Sequence, residues 1–216
     1  MEHLINPIES VTQVEAARQV AGVHTFLVER ARAAISQLVD ERPGWGSFAK
    51  RACVNLDGPD RPPLVAKSKE RIIEVINMAA TLERLIDALC WFDDQTEMRE
   101  WLVLECHPST SSSAAGNDLV LGTQPDAVRA VCEVTDVVSS SAGQNQKEHS
   151  DLKRLGCDRE VPTDGVRRFI CTSGEFGRAL SGKGRRWATR KYSYRLHEIG
   201  ETETMLLEVL PPALER

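Results

Sequence analysis

The sequence predicts one α/β domain, on three observations. Apolar residues recur at intervals of three and four through much of the first 92 positions, the rhythm changes to that of strands after Asp93, and a further helical stretch at 144–156 is set between strand-like segments. At 216 residues the chain can bury a substantial core in such a domain.

From Ser10 to about Glu41 the spacing of Val14, Ala17, Val20, Phe26, Leu27, Ala31, Ala34 and Leu38 predicts a long or broken helix, stopped by Pro43 and Gly44. Residues 43–63 are rich in proline and glycine and read as a connecting segment with room for a short strand or turn. Ser68 is placed to cap a second helix, whose wide apolar surface runs from Ile72 to Trp91 and predicts burial. Strands follow at 100–108, 118–123 and 129–139, the first two as a hairpin. Leu152 and Leu155 among charged residues give 144–156 its helical rhythm, with Gly156 at the stop. A strand at 166–172, a short helix at 175–180 and strands near 187–197 and 203–210 complete the order. Residues 1–64 read as an N-terminal helical extension and 65–216 as the α/β core.

A net charge of −5 argues against a protein that coats nucleic acid with its whole surface and leaves room for a local basic patch. The six cysteines form no CxxC pair and no dense framework, so free thiols and a reducing, cytoplasmic compartment are expected. No stretch of 18 apolar residues occurs and MEHLINPIES lacks the pattern of a signal peptide, so no membrane partner is expected.

The chemistry-bearing pattern lies in the middle third. Asp118 opens one strand and Glu133 lies in the next, so a hairpin or short crossover brings two carboxylates to one place. Carboxylates that converge in this way suit Mg²⁺ or Mn²⁺, hard cations that acidify bound water and offset phosphate charge. Val131, Val134, Val137 and Val138 around Glu133 predict a covered strand, in which an unpaired carboxylate is costly and a metal or basic partner removes the cost. The plainer alternatives are a turn-capping aspartate at Asp118 and a cross-strand ion pair at Glu133.

The helix at 68–92, the strand at 100–107, Asn117-Asp118-Leu-Val-Leu, Cys132-Glu133-Val134-Thr135, the helix at 144–156 and the strand at 166–172 together resemble the core of the PD-(D/E)XK, or restriction-endonuclease-like, nucleases. The resemblance spans about residues 65–172, half of the chain. It implies a mixed sheet core flanked by helices, Asp118 and Glu133 as metal ligands, and DNA as substrate. Asn117 stands where the family usually has proline, and Thr135 where it has the catalytic lysine. A threonine hydroxyl can orient water but cannot supply an ammonium charge. Lys147, then Lys153, are the candidates for a lysine moved onto the following helix, although Lys147 is equally placed to pair with Asp151. Glu70 or Glu83 would be the source of any further acidic ligand, and Asp136, on the opposite strand face, is a poor one.

A second feature is the acid-free stretch KGRRWATRKYSYR. In it Lys183, Arg185, Arg186, Arg190, Lys191 and Arg195 offer cations to phosphates, and Trp187, Tyr192 and Tyr194 offer rings to bases. The alternative is a solvated hairpin face. Weaker candidates are a soft-metal group of Cys106, His107 and Cys132, and a general base at His149 or His197. The expected function is therefore a nucleic-acid-binding, Mg²⁺- or Mn²⁺-dependent DNA endonuclease. The competing expectation is an inactive nuclease-fold protein that binds nucleic acid or scaffolds a larger complex. A third makes the N-terminal helices a homodimer or partner-docking module.

Overall fold

The computed structural model describes residues 4–42, 44–108, 117–124, 126–135, 150–157, 161–174, 192–200 and 204–211. They form a mixed α/β structure around a seven-stranded, mostly antiparallel sheet. Its strands are β1 (Ile8–Thr12), β4 (Leu102–Cys106), β5 (Leu119–Gly122), β6 (Val128–Thr135), β7 (Arg167–Ser173), β8 (Ser193–Ile199) and β9 (Thr204–Leu210), in the order β1-β4-β5-β6-β7-β9-β8. Only β6 and β7 pair in parallel. A parallel pair needs a crossover, and the helical stretch at 150–154 lies in that connection.

One face of the sheet is covered by α1 (Gln13–Glu41) and α3 (Ile72–Asp94), which pack on each other. Val20, Val23 and Leu27 of α1 and Leu82, Leu85 and Leu89 of α3 are fully buried, one helical stripe from each, against Val103, Leu119, Cys132 and Phe169 of the sheet. This core includes Ile5 and Ile8, so the N-terminal residues share it with the strands. The opposite face carries a smaller cluster in which Val120, Val131, Ile170 and Leu207 meet Leu152, Leu155, Cys157 and Tyr192. Tyr192 donates a hydrogen bond from its hydroxyl to the Cys157 carbonyl.

Most predicted elements that fall on described residues are present, with three differences. Residues 8–12 are an edge strand paired with β4, and the first helix starts at Gln13, capped by the Thr12 hydroxyl on the Glu15 amide. A short edge strand with one buried face shows little alternation, and helical spacing downstream masked it. The connecting segment holds a helix, α2 (Trp45–Arg51), and a strand, β2 (Cys53–Asn55). Ser68 caps nothing, because β3 (Lys69–Arg71) pairs with β2 and delays α3 to Ile72. Of the strand expected near 187–197, Ser193–Ile199 is observed, and residues 187–191 and 175–180 lie outside the described residues.

Gly156 adopts φ +76° and ends the 150–154 helix where the sequence predicts, with the Cys157 amide returning to the Leu152 carbonyl at 2.7 Å. Among the described residues no helix is long and apolar enough to cross a membrane.

Candidate active site

Leu119 of β5 and Cys132 of β6 are register partners, and both point into the helix-side core. Strand alternation therefore turns Asp118 and Glu133 to the other face, alongside Val120 and Val131. Asp118 reaches across to β6, where its Oδ2 accepts the Val134 amide at 2.7 Å.

Glu133 is fully buried, and its Oε2 accepts from Arg154 Nη1 at 3.0 Å. With the Asn117 amide oriented to suit its neighbours, its nitrogen donates to Glu133 Oε1 and to the Arg154 carbonyl, 3.1 Å each. Asn117 thus contributes a donor that a proline at this position would not have. The same guanidinium nitrogen of Arg154 lies 4.0 Å from Oδ1 of Asp151, which is also fully buried. Asp151 and Arg154 are three residues apart on one face of the 150–154 helix, and Leu152 and Leu155 press that helix onto the sheet.

Asp118 and Asp151 therefore both act on Glu133, and among the described residues the Arg154 guanidinium is the cation that meets them. Burial, and then the Asp118 charge, push the Glu133 carboxyl from its ordinary 4.5 up to about 8; Asp151 adds to the rise and Arg154 opposes it. Thr135 lies one alternation beyond Glu133 and is level with Thr172 of β7. Both hydroxyl oxygens are buried, with no hydrogen-bond partner among the described residues.

The grouping of Asp118 with Glu133 beside the Thr135 and Thr172 hydroxyls suits a small hard cation that keeps several waters and takes only one or two carboxylates. Among the described residues no group of three or more His, Cys, Asp or Glu is placed to hold a metal. The soft-metal candidate fares worse. Cys106 and Cys132 point into the helix-side core, where burial above all holds both thiols well above their ordinary range, with the Asp118 charge next at Cys106 and Cys171 next at Cys132. His107 sits beside Glu105 instead, at 3.4 Å.

The remaining sequence candidates divide. Lys147, Lys183, Arg185, Arg186, Arg190 and Lys191 lie outside the described residues, as do Asp136 and His149. Lys153 is exposed, and the cation that reaches Glu133 is its neighbour Arg154. Glu70 belongs to β3 and Glu83 to α3, both on the helix side; the acid that joins Asp118 and Glu133 is Asp151.

Arg195 is not brought to the carboxylates. It pairs at 3.2 Å with Glu208, which faces the helix side with Phe169 and also binds Arg167 at 2.8 Å. His197 lies 3.7 Å from the same Glu208 and packs against Trp91, with ring centres 4.8 Å apart and planes tilted by 46°, so it serves the helix-side packing. Sequence reading missed the roles of Asp151 and Arg154. The signal for them was their shared face on a helix that follows the Glu133 strand.

No family model, no curated protein and no solved structure matches this chain.

Proposed function

We propose that the protein is a nucleic-acid-binding protein with a restriction-endonuclease-like core, and that it acts as a DNA endonuclease dependent on Mg²⁺ or Mn²⁺. The observation that carries this reading is that Asp118 and Glu133 lie on one sheet face, close enough for the Asp118 charge to act on the buried Glu133 carboxyl, with Asp151 acting on it from the crossover helix. The succession α3, β4, β5, β6, helix and β7, with β6 and β7 parallel, supports it as well.

Asp118 and Glu133 would hold the ion, which supplies an acidified water and charge neutralisation for a phosphodiester. Asn117 and Arg154 orient the Glu133 carboxylate, and the Val134 amide orients Asp118. The Thr135 hydroxyl offers one hydrogen bond on the same face, and Lys147 is the first candidate for the cationic group that this position lacks. Purified protein should cut plasmid or linear DNA only with Mg²⁺ or Mn²⁺, and Asp118→Ala should abolish cutting while keeping the fold. No cutting of any DNA or RNA under either ion would overturn the endonuclease reading.

A second reading rests on Arg154. A guanidinium already bound to Glu133 can stand in for the cation, and Thr135 cannot supply the lysine charge. The protein would then be an inactive nuclease-fold module that binds nucleic acid or scaffolds a complex. Salt-sensitive DNA binding that survives Asp118→Ala and Glu133→Ala, but is lost when Arg185, Arg186 and Arg190 are neutralised, is its expected signature.

A further inference from the structure

We propose that a basic cleft on the helix side of the molecule, away from Glu133, binds a phosphate-bearing ligand the size of a mononucleotide. The cleft lies between the C-terminal half of α1, the end of α2 and the β2–β3 hairpin, and encloses about 500 Å³. That is within the range of small-ligand sites.

Its charge is one-sided. Arg30, Lys50, Arg51 and Lys69 line it, against Glu41 as the one acid among the lining residues. Two of these cations are already matched, Arg51 by Glu41 at 2.7 Å and Arg30 by Asp60 from outside the cleft. Lys50 and Lys69 make no ion pair with any described residue, although neighbouring Lys67 pairs with Asp57. Two unmatched ammonium groups in a concavity complement the two charges of a phosphate monoester.

Further donors stand beside them. Asn55 is the direct cross-strand partner of Lys69, so the two side chains leave the hairpin on the same face. The Asn55 side-chain oxygen accepts the Asp57 amide, which leaves its nitrogen to donate. Arg30 Nε has no hydrogen-bond partner among the described residues. Ala33, Ala34 and Leu38 of α1 supply an apolar wall suited to the body of a ligand whose phosphate is held at the basic end.

The proposal does not depend on nuclease activity, and the test keeps the two apart. Inorganic phosphate, a 5′-mononucleotide and a short single-stranded DNA are titrated by calorimetry into the full chain, into Lys50→Gln/Lys69→Gln and into Asp118→Ala. Both lysines are exposed, so the double variant should melt like the parent. The expected result is at least tenfold weaker binding by the double variant, no change in Asp118→Ala, and weakening by salt. Tighter binding of the mononucleotide identifies a free ligand, and tighter binding of the oligonucleotide identifies a nucleic-acid phosphate. The proposal is overturned if none of the three binds in the millimolar range. It is equally overturned if the double variant binds as the parent does, or if Asp118→Ala alone removes binding.

Discussion

Replacing Glu133 by glutamine should make the protein more stable in mild alkali. Below pH 4.5 the Glu133 carboxyl is protonated in folded and unfolded chains alike, and its burial carries no ionic penalty. As pH rises from 4.5 to about 8 the unfolded chain releases a proton that the folded chain keeps, so stability falls; above about 8 both are ionised and the loss is complete. At ~1.4 kcal/mol per pH unit, a gap of that width corresponds to a ceiling of about 5 kcal/mol. Arg154, whose side chain is 27% exposed, admits solvent to the pair and reduces this to about 2–4 kcal/mol. Glutamine keeps an oxygen for Arg154 and has no proton to lose. Urea unfolding followed by circular dichroism at pH 5 and pH 8.5 should show little difference at the lower pH and a more stable Glu133→Gln at the higher. Parallel pH profiles for the two proteins would refute the claim that a buried, like-charge environment destabilises this carboxylate.

Arg154→Met leaves two buried carboxylates without their shared guanidinium. It should cost about 2–3 kcal/mol at pH 8, less in acid where Glu133 takes up a proton, as read from the same urea midpoints. Arg168, nearly buried, donates to the Leu155 carbonyl at 2.8 Å and grips Asp164 with both terminal nitrogens. Arg168→Ala should cost about 2–4 kcal/mol and speed hydrogen exchange at the Leu155–Cys157 amides. Phe169 meets Phe92 edge-on with ring centres 5.0 Å apart in the helix-side core, and Phe169→Ala should lower stability by about 3–5 kcal/mol in thermal melts.

The two long helices were legible because each buries one stripe, and that imposes a period, as in Ile72–Asp94. The central strands were legible as short apolar runs, because both of their faces are covered, as in Val128–Thr135 from Ala130 onward. The edge strand at Ile8–Thr12 and the hairpin at Cys53–Arg71 bury little and leave little pattern. At the site, Asp118 and Glu133 could be paired because adjacent antiparallel strands and alternation suffice to bring them together. The shared helix face of Asp151 and Arg154 is legible too, but their arrival beside Glu133 depends on how the β6–β7 crossover lies on the sheet, which no local pattern encodes. The face to which Arg195 turns was equally hidden, because a one-residue change of register reverses it.

The pairing of β1 with β4 also orders events during synthesis. Ile8 meets Cys106 and Thr12 meets Leu102, so the first strand leaves the ribosome roughly ninety residues ahead of its partner. Throughout that interval Val20, Val23 and Leu27 of the attached helix have no sheet to cover. Contacts of such long sequence separation form slowly, because the loop must close before they repay its entropy. Until β4 emerges, α3 is the long helix made in that interval on which this stripe of α1 can pack.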